Sequence, residues 1–327
     1  YPTYDPNDFS LGFTASEQTR FNALSGPYVN RATMAADPTG SIFKLITLSA
    51  GLENGISASQ IFTCTGTFQV PGENHLRYDD VVLGHGSLNA VQAIAPSCDV
   101  VFWTIAINLN QKDPNLLPSV AKKFGFGAAT GMIGLPADED NPGIVPDPAW
   151  LKTNKNSGWS PTDAANLGIG QGFFEASPAQ VAELSAAVAN NGVRMRPRLV
   201  SKVSNGGAVT QTFAPTSEGT LPLSAANLKI LQVAMLGPTN DSTGTTAYDF
   251  VGYPITVAGK TGTAESGQPV PDAWFTCYAP ASKLSGPAVT PQIAVGTLVE
   301  FAGTGEHYAV PVSKAAMDAY LHLPPEK

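Results

Sequence analysis

"PTGSIFKL", residues 38–45, is the stretch on which the fold turns. It opens the run SIFKLITLSAGLENG, where Ile42, Phe43, Leu45, Ile46, Leu48 and Leu52 lie nearly all the way round. A helix apolar on every side is buried, and residues 41–54 are expected to form one. Pro38 and Gly40 suit a loop that turns sharply into a helix start. Ser41, Lys44, Leu45 and Leu48 stand at i, i+3, i+4 and i+7, so hydroxyl and ammonium share one face. A buried lysine is costly unless it is paired or gives up its proton. A neutral amine one turn from a serine is a base beside a nucleophile. Ser-x-x-Lys fixes only two positions, however, and about one such pair is expected by chance in a chain of this length.

The chain's 327 residues suffice for one large domain or two ordinary ones. Hydrophobic residues make up 43%, enough for a substantial core, while charged residues are few at 13% and Gly and Pro are many. That balance points to a rigid, loop-rich extracytoplasmic protein. A net charge of -8 without a Lys/Arg cluster argues against a nucleic-acid binder. No apolar run reaches membrane-spanning length and no signal-peptide pattern opens the chain. YPTYDPNDFS reads as the interior of a longer polypeptide, so an upstream segment is expected. Three cysteines, Cys64, Cys98 and Cys277, give no even disulfide framework. Cys277, in AWFTCYAP, reads as inert core of a buried strand.

No internal repeat is present. Residues 57–88 read as irregular with short extended pieces, and residues 88–109 as two helical pieces broken at Pro96. Residues 125–172 form a long Gly/Pro-rich passage, a loop of functional length. SPAQVAELSAAVANNG, 177–192, is a helix with Ser177 as cap, Pro178 in its first turn and Gly192 at its close. A further helix is expected over 222–236. The last third turns to strand patterning in YPITVAGKTGTAE, AWFTCYAP and QIAVGTLVEF before a closing helix, VPVSKAAMDAYLHL. The fold class is therefore α/β of the α+β type: an antiparallel sheet flanked by helices, with a mostly helical insert.

Two motifs follow Ser-x-x-Lys in order. PSCD supplies Ser97, Cys98 and Asp99. An extended chain after Pro96 would put Ser97 and Asp99 on one side and Cys98 on the other. Ser97 could then relay a proton while Asp99 holds nearby ammonium groups; a plain helix cap by Ser97 or Asp99 is the alternative. GKTGT supplies Lys260, Thr261, Gly262 and Thr263. Lys260 with a glycine next on its own face suggests an open slot beside a cation, suited to an extended peptide ending in a carboxylate. A hairpin turn at KTG is the alternative. Strict alternation turns Thr261 away from that slot.

Ser-x-x-Lys, Ser-x-Asp and Lys-Thr-Gly in this order are what serine acyl transfer on D-alanyl peptides uses. The chain resembles the transpeptidase domain of class B penicillin-binding proteins, on the elongation-specific, penicillin-binding protein 2-like branch. YPTYDPNDF, NRAT, DPTGSIFKL, LGHGSLN, SCDVVFW, FGFG..TG..GLP, LGIGQG, SPAQVAEL, VAGKTGTAE and AWFTCYAP all fall in family order. Ser-x-Asp in place of Ser-x-Asn points to the elongation branch. The resemblance implies the penicillin-binding protein/serine β-lactamase-like fold over 1–327, with a sheet-containing core of about 1–55 and 173–327 and an insert of about 56–172.

It further implies a serine-type D-Ala-D-Ala transpeptidase that cross-links peptidoglycan stem peptides and is acylated by β-lactam antibiotics. Ser41 would attack the penultimate D-alanine carbonyl, with Lys44 as base, its pKa expected to fall through burial and Lys260. Backbone N–H groups of Ser41 and Thr263 would hold the oxyanion. Lys260, Thr261 and Thr263, with Gly262 between, would bind the terminal carboxylate. Ser97 would pass a proton toward the leaving D-alanine, oriented by Asp99. No cofactor is needed for catalysis. A membrane anchor and pedestal before residue 1, a membrane glycosyltransferase partner and the extracytoplasmic face of the bacterial membrane are implied too, this chain itself being soluble.

Rival readings are a serine β-lactamase, a β-lactam sensor domain of the same fold and a scaffold whose chemistry is lost. A β-lactamase needs a carboxylate that activates water for deacylation, and none is evident between Ser-x-Asp and Lys-Thr-Gly. Cys64, Asp79, His85 and Cys98 are zinc-ligand types within one irregular segment. A Cys64–Cys98 disulfide, a helix-capping His85 and a solvated Asp79 are the alternatives. Some elongation-type relatives bind zinc with ligands spaced 15, 6 and 13 residues apart, and this chain repeats the spacing: 79 − 64, 85 − 79 and 98 − 85. The first ligand of that pattern is an aspartate, where this chain has Cys64. The resemblance thus implies a structural zinc with four protein ligands.

Overall fold

A computed structural model of the chain describes residues 7, 12, 14–23 and 26–323. The motif YPTYDPNDF, position 7 apart, lies outside the described residues. The apolar run after Ser41 forms helix α1, Lys44–Glu53, and every residue from Lys44 to Leu52 is buried. The α-helix begins three residues later than the sequence pattern indicates, because Gly40–Phe43 winds as a 3-10 turn. Such tight turns are common at helix starts. Strand β1, Ile61–Cys64, pairs antiparallel with β2, Gly86–Asn89, so that Cys64 lies opposite Gly86.

Pro96 separates a short 3-10 turn, Gln92–Ile94, from helix α2, Asp99–Lys112. Only the second of the two expected pieces is an α-helix, and Leu88 and Asn89 belong to β2. Between 125 and 172 the structure replaces the expected long loop with α3, Pro148–Lys155, and α4, Pro161–Gly168. Both begin with proline behind a capping side chain, Asp147 and Ser160. Their eight-residue lengths give too few helical repeats to stand out among the glycines.

The buried helices touch through small residues. A Cβ on Gly168 would lie 2.5 Å from the Cβ of Ala106, so α4 rests directly on α2. A Cβ on Gly51 would lie 3.0 Å from Ile105, which sets α1 close to α2. The Thr47 hydroxyl donates to the Gly168 carbonyl at 2.8 Å and ties α1 to α4.

Helix α5, Pro178–Ala189, carries a full capping box between Ser177 and Gln180. Helix α6 spans Ala225–Ala234. Three antiparallel strands follow: β3, Ala258–Ala264; β4, Asp272–Ala279; and β5, Ile293–Val299, with β4 in the middle. Helix α7, Gly305–Leu321, closes the described chain and starts five residues before the apolar pattern suggests. Every residue of β4 is buried, because helices cover both faces. On one side Thr276 bonds Ser185 of α5 at 2.6 Å; on the other Phe275 and Cys277 join Ala309, Val310 and Met317 of α7. Cys277 lies 3.8 Å from the Met317 sulfur and is inert core, as expected. Among the described residues no helix is long and apolar enough to cross a membrane.

Candidate active site

Three glycines bring three backbones into contact around Ser41. Gly40 has a φ of +55, and its N–H donates to the Gly170 carbonyl at 3.0 Å. A Cβ on Gly40 would lie 2.3 Å from the Thr263 carbonyl oxygen, and one on Gly170 2.3 Å from the Gly40 carbonyl oxygen. A Cβ on Gly262 would lie 2.2 Å from the Thr39 carbonyl oxygen. No real side chain tolerates such distances, so the turn bearing Ser41 is pressed onto β3 by the absence of side chains. This corrects the open slot beside Gly262: the Thr39 carbonyl fills it. The glycine serves close approach of backbone, the other common reason for glycine in a strand.

Lys44, Ser97, Asp99 and Lys260 meet at one point. Lys44 Nζ donates to Ser97 Oγ at 3.0 Å and to the Ser97 carbonyl, and lies 2.6 Å from Asp99 Oδ1. Lys260 Nζ donates to the same Ser97 Oγ at 2.9 Å and to the Thr261 carbonyl at 3.1 Å. Both lysines are essentially inaccessible, at 1% and 0% exposure, which is tolerable only with such partners. Burial first, then the Lys44 ammonium, holds Lys260 well below the usual lysine range, against the opposing pull of Asp99 and Asp80. Burial raises the Asp99 carboxyl above its usual range despite the adjacent Lys44 ammonium.

The route by which Ser97 and Asp99 arrive differs from the extended one expected. Ser97 takes a left-handed φ of 63, Cys98 occupies the cap position of α2, and Asp99 is already its first residue. A left-handed conformation on a non-glycine residue is unfavourable and concentrates where a site requires it. Ser97 and Asp99 do reach the same ammonium while Cys98 points away, but through a turn and not through strand alternation. Neither Ser97 nor Asp99 caps α2 with its side chain.

Thr261 follows Lys260 on β3, yet its hydroxyl accepts from Lys260 Nζ at 3.5 Å and lies 3.0 Å from that of Thr245, so alternation along the strand does not carry it away from the cation. Thr263 is half-buried, and its carbonyl accepts from Gln171 Nε2 at 3.5 Å. Thr245 and Gln171 were not singled out in the sequence. Gln171 had a readable signal, sitting inside the glycine cluster LGIGQG; Thr245, in a polar loop, had none.

Behind Ser97, Cys64, Asp79 and His85 converge, with Cys98 placed against Cys64. Cys64 Sγ lies 3.6 Å from Asp79 Oδ2, and His85 Nε2 lies 3.2 Å from Asp79 Oδ1. Cys98 Sγ is 2.6 Å from Cys64 Sγ, and both cysteines are free and buried. One donor atom from each of Cys64, Asp79 and His85 falls within 4.8 Å of the others. Asp79, which could have been a solvated loop residue, is 3% exposed. Two sulfurs, an imidazole and a carboxylate are a donor set that tetrahedral zinc accepts.

The family profile of the penicillin binding protein transpeptidase domain matches residues 1–318, and the chain belongs to that family. It is similar to the peptidoglycan D,D-transpeptidase MrdA of Haemophilus influenzae, 29% identical over 98% of this chain and 50% of that protein. The chain thus spans about half the length of the curated relatives it first matches. Among solved structures it is similar to penicillin-binding protein PBP2 from Helicobacter pylori in complex with MreC. The TM-score there is 0.81 at 28% identity, over 98% of this chain and 56% of that one. It is also similar to the penicillin G acyl-enzyme complex of penicillin-binding protein A from M. tuberculosis. That match has a TM-score of 0.78 at 26% identity, over 98% of this chain and 70% of that one. The expected fold, family and penicillin-binding protein 2 branch are borne out.

Proposed function

We propose that this chain is the catalytic part of a peptidoglycan D,D-transpeptidase of cell elongation, working through a serine acyl-enzyme. One observation carries the reading. The Ser97 hydroxyl is held between two buried lysines, one of which stands a single turn from Ser41. A hydroxyl has two lone pairs and one proton. With both lone pairs taken by the lysines, its proton is left for a third group.

The steps follow from that count. Ser41 Oγ attacks the carbonyl of the penultimate D-alanine and gives its proton to Lys44, whose new charge is met by Asp99 at 2.6 Å. Two ammonium groups on one hydroxyl oppose each other. A substrate carboxylate that favours the charged form of Lys260 therefore leaves Lys44 free to act as the base. The backbone N–H groups of Ser41 and Thr263 hold the oxyanion. As the C–N bond breaks, Ser97 passes its proton to the departing amine and is refilled from Lys44. An amine from a neighbouring stem peptide then attacks the ester, returns its proton by the same path and restores Ser41. Lys260, Thr261 and Thr263 bind the terminal carboxylate, with Gly262 keeping the strand against the Ser41 turn.

A β-lactam enters the same cycle and stops at the ester. The Asp99 carboxylate in the site is engaged by Lys44 Nζ at 2.6 Å and is not free to activate water, so the acyl-enzyme is expected to outlive a catalytic turnover by orders of magnitude. Fluorescent penicillin should label the chain stoichiometrically and persist. Rapid hydrolysis of a chromogenic cephalosporin would shift the reading to a β-lactamase.

The proposal includes a sheet-containing core of about 1–55 and 173–327, an insert of about 56–172, and work on the extracytoplasmic face beside a membrane glycosyltransferase. The similarity to a PBP2 solved with MreC supports work within a larger assembly. It also includes zinc held by Cys64, Asp79, His85 and Cys98. When bound, zinc would supply bracing alone, since four protein ligands leave no open position. Metal analysis of chelator-free protein without a His-tag should find about one zinc per chain. A Cys64–Cys98 disulfide or metal-free protein would overturn this part.

A further inference from the structure

Helix α2 carries Asp99 in its first turn, yet none of its own residues caps it. The cap position is Cys98, whose thiol approaches the Val101 N–H but leaves the Asp99 and Val100 N–H groups to another acceptor. The first N–H groups of a helix lack intrahelical partners and need an acceptor when buried. That acceptor comes from another part of the chain. Asp79 Oδ2 receives the Asp99 N–H at 2.8 Å and the Val100 N–H at 3.4 Å. Its other oxygen receives the Val81 N–H at 3.3 Å and so fastens the loop that brings it there.

We propose that Asp79 is a positioning residue that caps α2 from twenty residues upstream and sets the placement of Asp99 and Ser97 whether or not a metal is present. The negative charge suits the positive end of the helix dipole. The oxygen that caps is bonded to the residue whose carboxylate pairs with Lys44, so a lost cap is felt within one residue of the ion pair. Ser97, held in its left-handed turn directly before α2, is displaced with the helix start. The stability part of this inference is independent of the proposed acyl-transfer reading; the rate part rests on it.

Three proteins separate capping from metal ligation: the wild type, Asp79→Asn and Asp79→Ala. An asparagine oxygen still accepts the two N–H bonds but is a poor zinc ligand; alanine does neither. After exhaustive chelation a residue that acted only as a metal ligand would no longer matter. The expected result in chelator is that Asp79→Ala melts about 3 °C below the wild type, with Asp79→Asn close to the wild type. Acylation by penicillin should be about tenfold slower in Asp79→Ala at unchanged non-covalent affinity, since misplacement acts on the chemical step. Asp79→Asn should restore it. If Asp79→Ala does not fold, hydrogen exchange of the chelated wild type decides: the Asp99 and Val100 amides should be protected. Equal melting and equal acylation of all three chelated proteins, or amides that exchange like those of an open loop, would overturn the proposal. A wild type that takes no penicillin at all would instead refute the acyl-transfer reading and leave the capping result standing.

Discussion

Ser41→Ala is expected to take up no penicillin, where the wild type takes up one molecule per chain. The hydroxyl is the only nucleophile placed on the turn that three glycines press against β3, and it precedes the buried base by one helical turn. Ser97 is a competing hydroxyl, but both of its lone pairs already accept from Lys44 and Lys260. Donating electron density to an acyl carbon would mean breaking one of these charged hydrogen bonds in a buried site. The substitution should leave the fold unchanged, because Ser41 is half-buried and alanine is compatible with the 3-10 turn. Intact-mass spectrometry after prolonged exposure to penicillin checks this directly. An adduct on the mutant would remove Ser41 from its proposed role.

Lys44→Ala should slow acylation by two to four orders of magnitude, the range a positioned general base supplies. The loss has two components. The proton of Ser41 has no acceptor one turn away, and Asp99 loses the ammonium 2.6 Å from its carboxylate. A carboxylate abandoned in a site with 15% side-chain exposure is unfavourable, so the mutant should also melt lower. Asp99, already raised by burial, can lessen that cost by taking a proton. Acylation rates measured well below the melting temperature separate chemistry from folding. Labelling at close to the wild-type rate would transfer the role of base elsewhere, Lys260 being the buried amine nearest to Ser97.

The helices and strands that place the site were legible because their patterns are long or well punctuated. The all-apolar run of α1, the capping box of α5 and the buried strand around Cys277 each carry a strong local signal. The chemical groups were legible through the order of three motifs. What escaped was geometry created by contact between distant segments. Nothing local in PSCD announces that Ser97 adopts a left-handed φ, and the two lysines that hold its hydroxyl come from distant segments. Nor can alternation along β3 reveal that the space over Gly262 is taken by the Thr39 carbonyl, because the occupant comes from a segment over two hundred residues earlier. The cap of α2 was hidden for the same reason. Its acceptor lies in a loop whose sequence, RYDDVVLGHG, suggests a metal ligand or a solvated turn.

The central claim is peptide cross-linking through Ser41, and the most direct measurement uses polymerised glycan strands bearing pentapeptides that end in D-Ala-D-Ala. The protein should release one D-alanine for each cross-linked peptide pair seen by mass spectrometry. Both products should vanish with Ser41→Ala and after pretreatment with penicillin. D-alanine release without cross-links would show that water and not an amine resolves the acyl-enzyme, and cross-links that survive in Ser41→Ala would contradict the account outright.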